Sequence, residues 1–188
     1  MGIIKGLKKS AGKARALRDE KNEEYIQLFE VSKAFPIEVE ENRCINADCA
    51  AFFQGEAAKY RDKKGCYIFS LRTGNGILPY YVGMTLRSFA EEAFSDQKIS
   101  KHYRHIVAKN NGTPLMTFVA LVPTRGRPPE TVIRILESEL IKMAYYRNSR
   151  LTNRKGIPKE RWAIKGVIRN DQGAPTKEER AFKKLMGL

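Results

Sequence analysis

Two short strings separated by a turn signal constrain this chain more than anything else in it. Gly65-Cys66-Tyr67-Ile68-Phe69 and Pro79-Tyr80-Tyr81-Val82-Gly83-Met84-Thr85 carry aromatic and β-branched residues, and Asn75-Gly76 lies between them. Asn-Gly is the strongest short-range hairpin signal, because a type I′ turn needs positive φ at both central residues. The pattern predicts two adjacent antiparallel strands within Cys66 to Thr85, with Tyr67 and Tyr81 close together on one small sheet.

The remaining chain reads as follows. Lys5 to Lys21 is basic, with Ala and Leu at loose helical spacing. Glu23 to Lys33 continues helically and Pro36 ends it. Ala47 to Tyr60 reads as another helix, and Phe89 to Val107 as a longer one with Phe89, Ala93 and Phe94 turned inward. Leu115 to Val122 is a continuous apolar run that suits a central strand. Pro128-Pro129 then opens a long helix to about Arg147, Pro being tolerated in a first turn. Its apolar residues Val132, Ile133, Leu136, Leu140, Met143 and Ala144 recur at three and four, and Glu137 and Glu139 fall on opposite margins of that face. Trp162 to Arg169 looks like a strand, and Thr176-Lys177-Glu178-Glu179 like a capping box opening a last helix. Trp162 suits either stacking on a base or packing over the core edge.

Charge points to a partner. With 35 Lys and Arg against 21 Asp and Glu in 188 residues, the formal charge is +14, which favours a polyanion such as nucleic acid or an acidic membrane face. Between Gln97 and Pro129 there is no acidic residue, while Lys98, Lys101, Arg104, Lys109, Arg125 and Arg127 all lie there. From Lys142 onward, 13 basic residues meet four acidic ones, whereas Glu23 to Glu41 is net acidic. A phosphate-tracking surface needs that kind of concentration. No apolar run approaches membrane-spanning length and the start has no signal-peptide apolar core, so a soluble cytoplasmic protein that binds DNA and no membrane is expected.

The two strings resemble the two halves of the GIY-YIG nuclease signature. The order that follows them, a helical stretch, a third strand and a long helix carrying an acidic residue, agrees over roughly Lys63 to Lys155. The resemblance implies an α+β fold: a small antiparallel three-stranded sheet flanked by helices over residues 61–156. A basic helical extension, 1–60, would precede it, and a strand and helix, 157–188, would pack on it. It also implies a metal-dependent DNA endonuclease that hydrolyses or nicks phosphodiesters. The family's metal-binding Glu corresponds to Glu137, because the Leu-Ile pair expected three and four residues later is Leu140-Ile141. Its active-site asparagine corresponds to Asn153, whereas Asn148 is explained as a helix C-terminal residue. One departure matters: the register of the family's first-helix arginine, about eight residues after Gly83, delivers Glu91. An acidic side chain cannot stabilise phosphate charge, so either the site is impaired or the cation has migrated; Arg87, Lys98, Lys101 and Arg104 are the candidate substitutes, and Lys98 is preferred, with Arg87 and Lys101 behind it.

On that basis Glu137 would anchor Mg²⁺ or Mn²⁺, Tyr67 would orient or deprotonate the attacking water if nearby cations depress its phenol pKa, and Tyr81 would position the phosphate. Lys101, Arg104, Lys109, Arg125, Arg127, Arg150, Arg154 and Lys155 would track the nucleic-acid backbone. The alternative is a non-catalytic nucleic-acid-binding module on the same fold, favoured by the missing arginine. Weaker still is a basic protein-interaction component. Cys44, Cys49 and Cys66 are too few for a disulfide framework and read as reduced thiols. Zinc held by Cys44, Cys49, His102 and His105 would need four convergent ligands that nothing else places together.

Overall fold

The hairpin is the centre of the fold. β3 (Gly65–Thr73) and β4 (Gly76–Thr85) pair antiparallel, with Tyr67 opposite Gly83, Ile68 opposite Val82 and Phe69 opposite Tyr81. The turn lies one residue earlier than Asn75-Gly76 would centre it. Thr73 pairs with Gly76, so Gly74 and Asn75 form the loop; Gly76 has φ +108° while Gly74 does not have positive φ, which rules out the type I′ geometry. Thr73 holds the loop instead, its hydroxyl accepting from Asn75 N at 3.3 Å.

In the computed structural model, residues 26–40, 45, 48–123, 130–154, 157, 164–168 and 174–188 are described. The sheet has five strands where three were expected. β5 (Thr113–Leu121) flanks β3, giving the central order β4-β3-β5. The other edge of β5 is covered by β1 (Phe29–Val31) and then β2 (Phe35–Pro36). Between them Ser32 N donates to Phe118 O at 2.9 Å, and Phe118 N donates to the Ser32 hydroxyl at 2.8 Å. The helix expected to reach Lys33 is therefore a strand over Phe29–Val31. Apolar spacing is a local signal, and the unpaired edge of β5 is a long-range one that overrides it.

β4 carries a bulge. The register shifts between Phe69 and Ser70, leaving Tyr80 without a counterpart. A bulge bends the strand and breaks strict alternation, so the consecutive residues Tyr80 and Tyr81 both join the same core. That front core gathers Phe35, Tyr67, Phe69, Leu71, Met116 and Phe118 from the sheet, with Phe53, Tyr60, Phe89 and Tyr103 over them. Its helical cover is more broken than expected. α1 (Cys49–Phe52), capped by Asp48, stops before a 3₁₀ turn at Gly55–Tyr60. The stretch expected as one helix consists of α2 (Phe89–Glu92), α3 (Asp96–Lys98), a π turn (Ile99–Tyr103) and α4 (Arg104–Lys109).

The long helix, α5 (Glu130–Arg147), covers the other face. Ile133 packs with Cys66 and Val119, and Ile141 and Ala144 with Val82 and Leu151. Cys66 and Ile68 alternate with Tyr67 and Phe69 along β3, so α5 and the tyrosines lie on opposite sides of the sheet. Toward the C-terminus, the strand expected from Trp162 to Arg169 is, in its described part, a tight turn closed by an Ile164–Ile168 bridge; Trp162 lies outside the described residues. α6 (Lys177–Leu185) begins with the expected capping box of Thr176 and Glu179. Among the described residues no helix is long and apolar enough to cross a membrane.

Candidate functional site

Tyr67 and Tyr81 project from neighbouring strands to the front face and stack, with ring centroids 6.2 Å apart and planes 28° apart. Gly83 makes room for them. A Cβ there would lie 2.5 Å from both the Tyr67 Cζ and its hydroxyl, so any side chain at the glycine of the second half-motif would collide with the tyrosine of the first. Gly65 is fixed by another close approach: it has φ +142°, and a Cβ would lie 2.2 Å from Val119 O.

One cation reaches this pair. Lys98, at the end of α3, donates to the Tyr81 hydroxyl at 3.0 Å and lies 3.2 Å from Glu92 Oε1. Burial opposes its charge, but the Tyr81 hydroxyl and the Glu92 carboxylate outweigh that and raise its pKa. His102 lays its ring on Tyr81, centroids 4.5 Å apart, and is held below its ordinary pKa by burial and by Lys98, Lys101 and His105. Arg87, by contrast, is exposed and pairs with Glu91 at 3.4 Å. Glu91 spends itself locally: its backbone N–H donates to the Ser88 hydroxyl, which donates to its carboxylate at 3.1 Å, fixing the start of α2.

Tyr67 does not meet the chemistry expected of it. Its side chain has 0% exposure, and its hydroxyl, which makes no well-aligned hydrogen bond, lies within hydrogen-bonding reach of the Tyr81 and Tyr103 hydroxyls. Burial first, then Tyr103, Tyr81 and Glu92, push its pKa far up rather than down. A phenol sealed in this way holds its proton.

Glu137 is not brought to the tyrosines. It sits four residues after Ile133 and four before Ile141 on α5, half-buried on the stripe that faces the back of the sheet. Its charge is felt there: burial and then Glu137 push the Cys66 thiol up to about 12. A divalent cation on Glu137 would stand on the α5 side of the sheet, the face opposite the one from which both tyrosines project.

Asn153 has a structural task. β4 is the edge strand of the sheet, and an edge leaves backbone groups unpaired. Asn153 accepts from Val82 N at 3.2 Å and donates to Val82 O, while Thr152 N and Asn148 Nδ2 donate to Tyr80 O and Pro79 O at 2.8 and 2.7 Å. The segment after α5 thus closes the edge next to Tyr81. Asn148, expected as a helix cap, also belongs to this clamp.

Comparison with protein-family models, with curated proteins and with solved structures gives no match. Among the backbone-tracking candidates, Lys101, Arg104, Lys109 and Arg150 are exposed. No ion pair among the described residues engages these four side chains. Arg154 bonds Leu151 O at 3.1 Å and lies over the Tyr145 ring. Arg125, Arg127 and Lys155 lie outside the described residues, as does Cys44 of the zinc set. Cys49 donates to Ala90 O at 3.3 Å. Sequence reading missed Glu92 and gave His102 only a metal role; nothing local marks either as a neighbour of Tyr81.

Proposed function

We propose that this chain binds the phosphate backbone of nucleic acid, DNA foremost, on a scaffold resembling that of GIY-YIG nucleases, through the helical strip from Lys98 to Lys109. The observation that carries this reading is the exposure of Lys101, Arg104 and Lys109, unpaired by acid among the described residues, on a segment whose sequence contains no Asp or Glu from Gln97 to Pro129. Counter-ions released from DNA by such a strip drive sequence-independent affinity, and that affinity falls steeply with salt. The strip borders Lys98 and Tyr81, so a bound phosphate would lie beside the tyrosine pair. Binding is favoured over cleavage because Tyr67 is closed and Glu137 is across the sheet.

A second reading, metal-dependent nicking of the GIY-YIG type, is favoured by one contact, the Lys98 ammonium on the Tyr81 hydroxyl. Such a cation beside a phosphate-positioning hydroxyl is the substitute that the missing arginine requires. A plasmid assay with Mg²⁺ or Mn²⁺, run beside a binding titration, separates the two. Binding without nicking supports the module; nicking lost in both Glu137→Ala and Lys98→Ala, with binding retained, supports the enzyme.

A further inference from the structure

Lys98 can donate three hydrogen bonds, and two are committed, to Tyr81 and to Glu92. The ammonium nearest the tyrosine pair is therefore already neutralised by a carboxylate of the same chain. This pair is not an ordinary surface ion pair: the Lys98 side chain is only 20% exposed and that of Glu92 33%. Glu92 is held in place by the fold, since it ends α2, whose Phe89 is fully buried against Phe118, with centroids 4.6 Å apart. The negative charge of Glu92 also reaches both Tyr67 and Tyr103, where it resists any second anion.

From these contacts, and resting on the nucleic-acid reading above, we infer that Glu92 is a built-in occupant of a phosphate site, its carboxylate standing on Lys98 where a backbone phosphate oxygen of the ligand binds. Carboxylate and phosphate compete for the same ammonium protons. The phosphate enters when Glu92 swings to solvent, and Lys98 then presents it to the Tyr81 hydroxyl. The closed arrangement weakens binding to any polyanion that cannot displace Glu92, while the exposed strip from Lys101 to Lys109 still makes the first contact. The site so assigned consists of Lys98 and Tyr81, with Glu92 as the gate.

The test uses the full chain and a fluorescein-labelled 20-base-pair duplex of arbitrary sequence, titrated by anisotropy at low salt. Glu92→Gln keeps the shape and removes the charge, and should tighten binding roughly three- to tenfold, the effect of lifting one like charge at close range in a half-exposed site. Glu92→Ala should do the same, which covers a glutamine that keeps its bond to Lys98. Glu91→Gln changes net charge equally on the same short helix, next to Arg87 rather than Lys98, and should tighten binding less than twofold. Adding Lys98→Ala to Glu92→Gln should abolish the gain. Equal tightening by Glu91→Gln and Glu92→Gln reduces the effect to global charge and overturns the gate. So does unchanged or weaker binding by both Glu92 variants where the parent protein binds, and the nucleic-acid reading then stands without it. Absence of binding by the parent and by every variant overturns both.

Discussion

Replacing Tyr67 by Phe should make this protein more stable, although tyrosine to phenylalanine in a core usually does the reverse. The Tyr67 hydroxyl is buried without a well-aligned hydrogen bond, and leaving such a group unpaired costs about 1–3 kcal/mol. Tyr67→Phe removes that cost and leaves an oxygen-sized void of ~15 Å³, worth about 0.4 kcal/mol at ~24 cal/mol per Å³. The net gain is about 0.6–2.6 kcal/mol, and for a chain of 188 residues each kcal/mol moves Tm by about 2–4 °C, so Tm should rise by ~1–10 °C. Tyr103 supplies the control. It is equally buried and its hydroxyl donates to Ala93 O at 2.8 Å, so Tyr103→Phe strands a carbonyl and should lower stability by about 1–2 kcal/mol. Urea and thermal unfolding followed by circular dichroism measure both. A fall in Tm for Tyr67→Phe comparable to that for Tyr103→Phe would mean that the Tyr67 hydroxyl is bonded in the native protein, and the closed site described above would be wrong.

Gly83→Ala forces a Cβ to within 2.5 Å of the Tyr67 ring and should destabilise by about 1–3 kcal/mol, whereas Gly74→Ala, which meets nothing within 4 Å, should be near neutral in the same unfolding experiment. Asn153→Ala removes both bonds to Val82 and should cost about 1–3 kcal/mol by urea unfolding, even if DNA affinity is unchanged. The buried Cys66 thiol titrates from 9.0 in the unfolded chain to about 12 in the folded one. Only the unfolded state loses that proton at intermediate pH. Its stabilisation is complete below pH 9 and is lost at about 1.4 kcal/mol per pH unit from 9 to 12, with the raised tyrosines adding to the loss. Urea midpoints across that range should fall less steeply in Cys66→Ala.

What the sequence made legible follows from the range of each signal. Alternation and a turn signal are local, so the hairpin was readable, as was the α6 capping box in Thr176 and Glu179. β1 was not: Phe29 and Val31 fit a helical spacing as well as an alternating one, and the deciding fact is the open edge of β5, about 90 residues away. The stretch from Phe89 to Lys109 is broken at Ser95, the extended cap of α3, while Phe89, Ile99 and Tyr103 all reach the front core. For the site, periodicity placed Glu137 at the margin of the buried face of α5. It could not say which face of the sheet α5 covers, because that depends on how helix and pleat meet in space. Lys98 lies in a run of helical cations, but that it meets Tyr81 and Glu92 depends on how α2 and α3 turn over the front core, which local spacing does not encode. The Asn153 clamp on Val82 required knowing that β4 is an edge.

Whether the Lys98 to Lys109 strip binds nucleic acid without Glu137 is decided by the affinity of a labelled DNA duplex, as a function of salt, for the parent protein, the triple variant Lys101→Ala, Arg104→Ala, Lys109→Ala, and Glu137→Ala. We expect the parent to bind with a linear loss of log affinity against log salt, the triple variant to bind more weakly with a slope shallower by about 2–3, and Glu137→Ala to match the parent. Unchanged affinity and slope in the triple variant, or affinity lost in Glu137→Ala alone, would contradict this expectation.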